Sequence, residues 1–193
     1  MLINLINALM SGKRLPYDAE VEYLETDGSA YINTGAKIYN DTSVVVVWYS
    51  NYSTSTASYF FGSDSSTDRF YFREYNGNAS YSIGSWWLNT NISTVGTHTI
   101  EMSNNGISVD GTASSRTGAA KTGDGNFCLF HVAAGNSPSG MRCYSCKIYQ
   151  NGVLVRDYIP VRVGTEGAMY DRVSGQLFRN AGTGDFVLGP DKN

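Results

Sequence analysis

Residues 142–163 read RCYSCKIYQNGVLVRDYIPVRV, two alternating segments either side of Asn151-Gly152. A two-residue Asn-Gly loop takes positive φ at both positions, and between alternating apolar segments it marks a β-hairpin. The loop pairs Gln150 with Val153, which places Ile148 opposite Val155, Cys146 opposite Asp157 and Tyr144 opposite Ile159 on one mostly apolar side. The other side would carry Ser145, Lys147, Tyr149, Leu154, Arg156 and Tyr158, a mixture suited to water. In this register Asp157 points inward, where a carboxylate must be met by backbone N–H groups or an arginine. With no second acid beside it in the chain, it reads as structural.

The flanking text continues in the same manner. Residues 19–24 alternate, Gly28-Ser29 turns, residues 30–33 resume, and 42–49 (TSVVVVWY) form a β-branched run that reads as a central strand. A polar loop over 50–58 leads to short strands at 59–62, 70–75 and 81–84. The turn Asn104-Asn105-Gly106 joins 98–103 to 107–110 in a second hairpin. Residues 112–126 and 133–140 read as loops, 127–132 as a strand, and the tail as short strands at 167–170, 176–178 and 186–188. Roughly thirteen short strands predict an all-β fold, a two-sheet antiparallel jelly-roll sandwich.

The start of the chain differs. Leu2, Ile3, Leu5, Ile6, Leu9 and Met10 fall on one helical stripe and Gly12 supplies a stop, so a short N-terminal helix is expected. A helix this short is marginal in water and must bury its stripe on its own domain, another subunit or a larger assembly. The expected organisation is a docking segment over residues 1–14 and one jelly-roll domain over 15–193.

Charged residues make up 16 % of the 193, and the net charge of −3 with a pI near 5.3 leaves no basic footprint. Nucleic acid and anionic membranes are therefore not expected partners. No apolar run reaches the roughly 18 residues that span a bilayer, so membrane insertion is not expected. Residues 1–10 lack a basic leader and run into Lys13-Arg14 instead of small residues, so they do not read as a secretory signal. Three cysteines are an odd count, which argues against a disulfide framework. Cys128-x-x-His131 and Cys143-x-x-Cys146 have metal-like spacing, but three residues along a strand send side chains to opposite faces unless a bulge or turn intervenes. Isolated thiols are expected.

Three stretches together carry a resemblance: residues 21–35 (VEYLETDGSAYINTG), the hairpin CKIYQNGVLVRDYIPV, and the tail MYDRVSGQLFRNAGTGDF. They are similar to the concanavalin A-like lectin/glucanase superfamily in its laminin G-like form, and to a subgroup found in tailed phages and prophages of gut bacteria and in some bacterial surface proteins. The resemblance covers most of residues 17–189 and implies a jelly roll whose first and last strands lie close together. It does not imply one function, because the fold hosts lectins, enzymes, adhesins and virion parts.

Glucanases of that superfamily carry two acids at alternate strand positions with a further Glu close behind, so that a nucleophile and an acid flank the glycosidic bond. Here the nearest counterpart is Glu20-x-Glu22-x-x-Glu25, which lacks the required Asp. His98 and His131 sit in strand-like segments and read as packed or hydrogen-bonded, so no catalytic residue is assigned. No cofactor is expected. Calcium is the ion the resemblance raises, with Asp64, Asp68, Asp110 and Asp124 in or beside loops but in no recognisable pattern.

Sugars present C–H faces and hydroxyl edges, so a glycan site needs aromatic faces beside amides and hydroxyls. Residues 69–91 are richest in these, and the candidate ligand-binding residues are Trp86, Trp87, Tyr71, Arg73, Tyr75 and Asn78. The chain is thus read as a non-enzymatic phage virion component, a capsid decoration, fibre or tail protein. Residues 1–10 would dock on other virion proteins or on a second copy, and the jelly roll would face outward toward cell-surface glycans. The alternative is a carbohydrate-binding domain of a bacterial cell-surface protein, and a glycoside hydrolase comes third.

Overall fold

The computed structural model describes residues 14–51, 57–63, 69–84, 87–116, 118, 121–132 and 135–193. The expected N-terminal helix with Leu2, Ile3, Leu5, Ile6, Leu9 and Met10, the candidate Trp86, and the loop acids Asp64 and Asp68 lie outside these residues.

The chain begins with β1 (Ala19–Glu20), β2 (Leu24–Thr26), β3 (Ile32–Tyr39) and β4 (Thr42–Ser50). Then come β5 (Ser58–Ser63), β6 (Phe70–Tyr75), β7 (Asn78–Ile83) and β8 (Trp87–Ser93). A third group holds β9 (Gly96–Ser103), β10 (Gly106–Val109), β11 (Thr112–Ser115), β12 (Thr122–Leu129), β13 (His131–Val132) and β14 (Gly135–Asn136). The last is β15 (Arg142–Gln150), β16 (Val153–Val163), β17 (Glu166–Asp171), β18 (Gln176–Arg179) and β19 (Phe186–Leu188). β11 and the first half of β12 fall where the sequence reads as loop, because Gly, Ser and Thr give little alternation to detect.

Two antiparallel sheets face each other. The larger runs β11-β10-β9-β4-β15-β16-β17-β18, with β1 on β16, β2 on β15 and β19 on β2. The smaller runs β3-β12-β5-β6-β7-β8, and β13 pairs β14 separately. The expected closeness of the two ends is found: β19 lies against β2, and Val21 bridges Asp191.

The β-branched run behaves as a central strand. Val44, Val46 and Trp48 of β4 point into the sandwich while the residues between them are half-buried. The Trp48 ring meets Phe60 and Phe130 at centroid distances of 5.3 and 4.7 Å, joining the two sheets. Phe61, Phe72 and Phe127 continue this aromatic layer.

The hairpin forms as its turn requires, with φ of 49° at Asn151 and 73° at Gly152, but its register departs from the simple count. Gln150 pairs Val153 and Tyr149 pairs Leu154, after which Ile148 faces Arg156, Lys147 faces Asp157 and Cys146 faces Tyr158. Val155 is the extra residue of a β-bulge, and every side chain beyond it changes face. Tyr158, expected outside, is therefore fully buried in the core, and Asp157, expected to point inward, takes the opposite side of the sheet, where it is still buried, 8 % exposed. There it meets Arg172, whose Nε and Nη2 donate at 3.0 and 2.7 Å, so the arginine partner is as anticipated while the direction is not.

The inward carboxylate belongs to Asp171 of β17, opposite Tyr158 and without solvent exposure. It accepts hydrogen bonds from the N–H groups of Asp157, Val173 and Ser174 and from the Ser174 hydroxyl, the arrangement a buried acid requires.

A second bulge, at Tyr144, changes the cysteine geometry. Cys143 pairs Trp48 and Ser145 pairs Val47, so Cys143 and Cys146 share the core face instead of opposing each other. Both are free and fully buried, and burial pushes both thiols well up. Among the described residues no group of three or more His, Cys, Asp or Glu could hold a metal ion.

Candidate functional site

β6 reads FYFREY. Alternation sends Phe70, Phe72 and Glu74 inward and Tyr71, Arg73 and Tyr75 to the outer face of the smaller sheet. Asn76 and Gly77, with φ of 55° and 73°, turn the chain tightly into β7. Glu74 is fully buried, and that burial raises its carboxyl, countered in part by the Gly77 N–H it accepts and by the Ser58 hydroxyl.

Register then builds the face. Tyr59, Arg73, Ser80 and Asn89 align across β5, β6, β7 and β8, while Gly62, Tyr71, Ser82 and Trp87 form the adjacent row. Gly62 is a steric requirement, since a Cβ there would lie 2.4 Å from the Tyr71 Cα. Glycine there permits this close approach of β5 and β6, and Tyr71 is only 3 % exposed, with its ring edge-on to Tyr59 at 5.5 Å. Tyr71 therefore supports the face from below and is not offered to a ligand.

Arg73 sits at the centre. Its guanidinium lies over the rings of Trp87, Tyr59 and Tyr75 at 5.5, 5.8 and 6.0 Å. Its Nε donates to Ser80 Oγ at 3.0 Å, and Ser80 Oγ donates in turn to Asn89 Oδ1 at 2.7 Å. Trp87, on the edge strand β8, is 52 % exposed. Asn78 is half-buried opposite Tyr75, and its amide donates to Asn76 O, which places it at the border of the cluster.

The structure thus brings together Trp87, Arg73 and Tyr75 of the expected set, buries Tyr71 and sets Asn78 aside. Sequence reasoning misses Tyr59, Ser80 and Asn89. Tyr59 stands in the apolar run SYFFGS, and only its pairing with Arg73 shows that it faces outward.

The remaining candidates are engaged elsewhere. His98 Nδ1 lies 2.6 Å from Asp110 Oδ2, and this contact together with the Thr99 N–H lowers the Asp110 carboxyl. His131 stacks on Tyr31 at 4.5 Å. Glu20 accepts from the Tyr17 hydroxyl, and Glu25 pairs with Arg142 at 2.6 Å. Asp124 is exposed. An open groove of about 220 Å³ beside Ser43, Val45, Glu101, Ser103, Asn105 and Ser108 is rich in hydroxyls but has no aromatic ring in its lining.

Arg142 forms a second aromatic cluster on the outer face of the larger sheet. Its guanidinium lies 4.4 Å from the Tyr23 ring and 5.0 Å from that of Tyr49, and Tyr144 stands edge-on to Tyr23 at 5.5 Å.

No family model matches the sequence, and no curated protein matches it. Among solved structures the chain is similar to a protein from Bacteroides ovatus ATCC 8483 that is proposed to bind carbohydrate. The TM-score is 0.59 at 11 % identity, covering 90 % of this chain and 61 % of that one, so this chain spans about three fifths of that protein's length. At such identity the likeness is one of fold. The fold they share is the sandwich of two antiparallel sheets.

Proposed function

We propose that the protein is a non-enzymatic glycan-binding jelly roll, displayed on a bacteriophage particle as a decoration, fibre or tail component and directed at host-surface sugars. The observation that carries the glycan reading is Trp87, a half-exposed indole on a sheet face beside Arg73, Tyr75 and Tyr59. Such a ring offers an apolar surface to the C–H face of a sugar, and the neighbouring polar groups meet its oxygens. A fold shared with a protein proposed to bind carbohydrate supports the same reading. Binding without catalysis is supported by the acids of residues 20–25, where Glu20 is engaged by Tyr17 and Glu25 by Arg142. No cofactor enters the proposal.

A glycan array probed with the wild type and with Trp87→Ala tests it. Binding that the variant loses is the expected outcome, and a wild type that binds nothing on the array overturns it. Trp86→Ala in parallel assigns the share of the neighbouring indole.

Virion display rests on the motif resemblance and on the stripe Leu2, Ile3, Leu5, Ile6, Leu9 and Met10 as an assembly element. Among the described residues the strand pairings begin at Ala19, and removing residues 1–10 is expected to leave a folded sandwich that no longer enters particles. Unchanged incorporation overturns the assembly role. The alternative placement, a domain of a bacterial cell-surface protein, uses the same glycan face.

A further inference from the structure

We propose that the ligand of this face is an acidic glycan whose anionic substituent, a ring carboxylate or a sulfate ester, is held by the terminal nitrogens of Arg73 while its sugar ring stacks on Trp87. The proposal rests on the reading of the face as a glycan site and names the class of sugar.

The charge balance around Arg73 comes first. Acids outnumber bases in the chain by 17 to 14, and Arg142, Arg156, Arg162, Arg172 and Arg179 each meet a carboxylate at 3.6 Å or less. Arg73 meets none among the described residues. Its Nε is used by Ser80, and neither Nη1 nor Nη2 has a partner there. Those two nitrogens are the end of the guanidinium that grips a planar oxyanion with two parallel hydrogen bonds.

The polarity of the hydrogen-bond chain points the same way. Ser80 Oγ accepts from Arg73 and donates to Asn89 Oδ1, so the acceptor side of the exposed Asn89 amide is occupied and its Nδ2 remains as a donor. The face therefore presents donors from both Arg73 and Asn89. A site of donors is complemented by a group of acceptors, which describes a carboxylate or sulfate better than a neutral hydroxyl. The rings of Tyr59, Tyr75 and Trp87, all within 6.0 Å of the guanidinium, fix its position and displace water from its flanks. An anion held there is less screened than on open surface.

Polygalacturonate, its fully methyl-esterified form, dextran sulfate and dextran are the probes, titrated calorimetrically against the full chain. Wild type is expected to bind polygalacturonate or dextran sulfate at least about tenfold more tightly than the matched neutral polymer, and the one preferred identifies the anion. Arg73→Met removes that preference with an unchanged circular dichroism spectrum, and Arg73→Lys, which keeps the charge without the fork, retains only part of it. The ester comparison needs no variant and stands even if Arg73→Met folds poorly. Equal affinity for acidic and neutral polymers overturns the proposal, as does a preference that survives Arg73→Met. Neutral polymers bound equally well and lost in Trp87→Ala would overturn the acidic ligand but leave the glycan reading in place. No binding of any of the four overturns the acidic ligand, while the array decides the glycan reading separately.

Discussion

Two arginines lie among tyrosine rings on opposite outer faces of the sandwich, and their partners separate them. Arg142 is closed: Glu25 pairs with it at 2.6 Å and pushes the guanidinium further up, helped by Tyr144, while Tyr23 and Tyr49 cover its sides. Arg73 is open: three rings surround it, a serine takes Nε, and no carboxylate among the described residues completes it. A charge whose partner comes from the same chain stabilises the fold. One without such a partner adds no ion pair to the fold, and in the proposal above it is the charge that meets the ligand.

The closed cluster belongs to a wider clasp. β2, which holds Glu25, ends at Thr26 and is followed by Asp27, whose carboxylate accepts from the N–H groups of Ser29, Ala30 and Asp185. Gly184 passes so close that a Cβ there would lie 1.9 Å from Asp27 Oδ2. Two of the sequence stretches that carry the family resemblance, DGSAY and GTGDF, therefore meet at this corner and join the beginning of the domain to its end.

The largest expected effect breaks the closed side. Arg142→Ala removes a part-buried ion pair of under about 1 kcal/mol and two ring contacts of about 0.5–1 kcal/mol each, so stability should fall by roughly 2 kcal/mol. For a domain of this size that lowers Tm by about 4–8 °C, measurable by thermal melts, with glycan binding unchanged. A loss of binding in this variant would erase the distinction between the two faces.

On the open side, Trp87→Ala should weaken glycan binding by about tenfold and shift unfolding stability by no more than about 0.5 kcal/mol. Calorimetry together with urea unfolding checks both halves. A large stability change with intact binding would turn this cluster into scaffold as well.

Acid sharpens the contrast further. The N–H groups of Ser29, Ala30 and Asp185 lower the Asp27 carboxyl to about 2, with Ser29 the main cause. A depressed carboxylate stabilises the fold at pH above its unfolded value of 3.8 and loses that contribution as pH falls through about 2. Thermal melts should therefore decline between roughly pH 4 and 2, and Asp27→Asn should flatten that decline. An unaltered acid limb in the variant would remove Asp27 from the clasp.

The smallest effect is expected at Asn89. Its alanine variant loses one neutral donor and should weaken binding by about threefold. No change in the same titration would show that the ligand is held by Arg73 and the rings alone.

Much of the scaffold could be read directly. The Asn151-Gly152 turn, the alternation of Val44, Val46 and Trp48, and the meeting of first and last strands follow from short-range chemistry or from motif. The site was legible in part. Trp87, Arg73 and Tyr75 announce themselves by residue type, but Tyr71, on the same strand as Arg73 and Tyr75, is buried beside Tyr59, which its residue type does not show. Tyr59 and Asn89 enter only through register with strands elsewhere in the chain. The hairpin shows the same limit, since the bulges at Val155 and Tyr144 exchange Asp157 for Tyr158 in the core and bring Cys143 and Cys146 to one side.

The sequence by itself determined that this chain is a sandwich of short antiparallel strands, because turn residues and period-two alternation are properties of neighbours along the chain. Only the tertiary structure decided which aromatic rings face water, which aspartate shares the core side with Tyr158 and which of the two ring-flanked arginines meets no carboxylate among the described residues. Each of these depends on a one-residue choice of register or on what stands opposite, and neither is encoded within the strand that carries the residue.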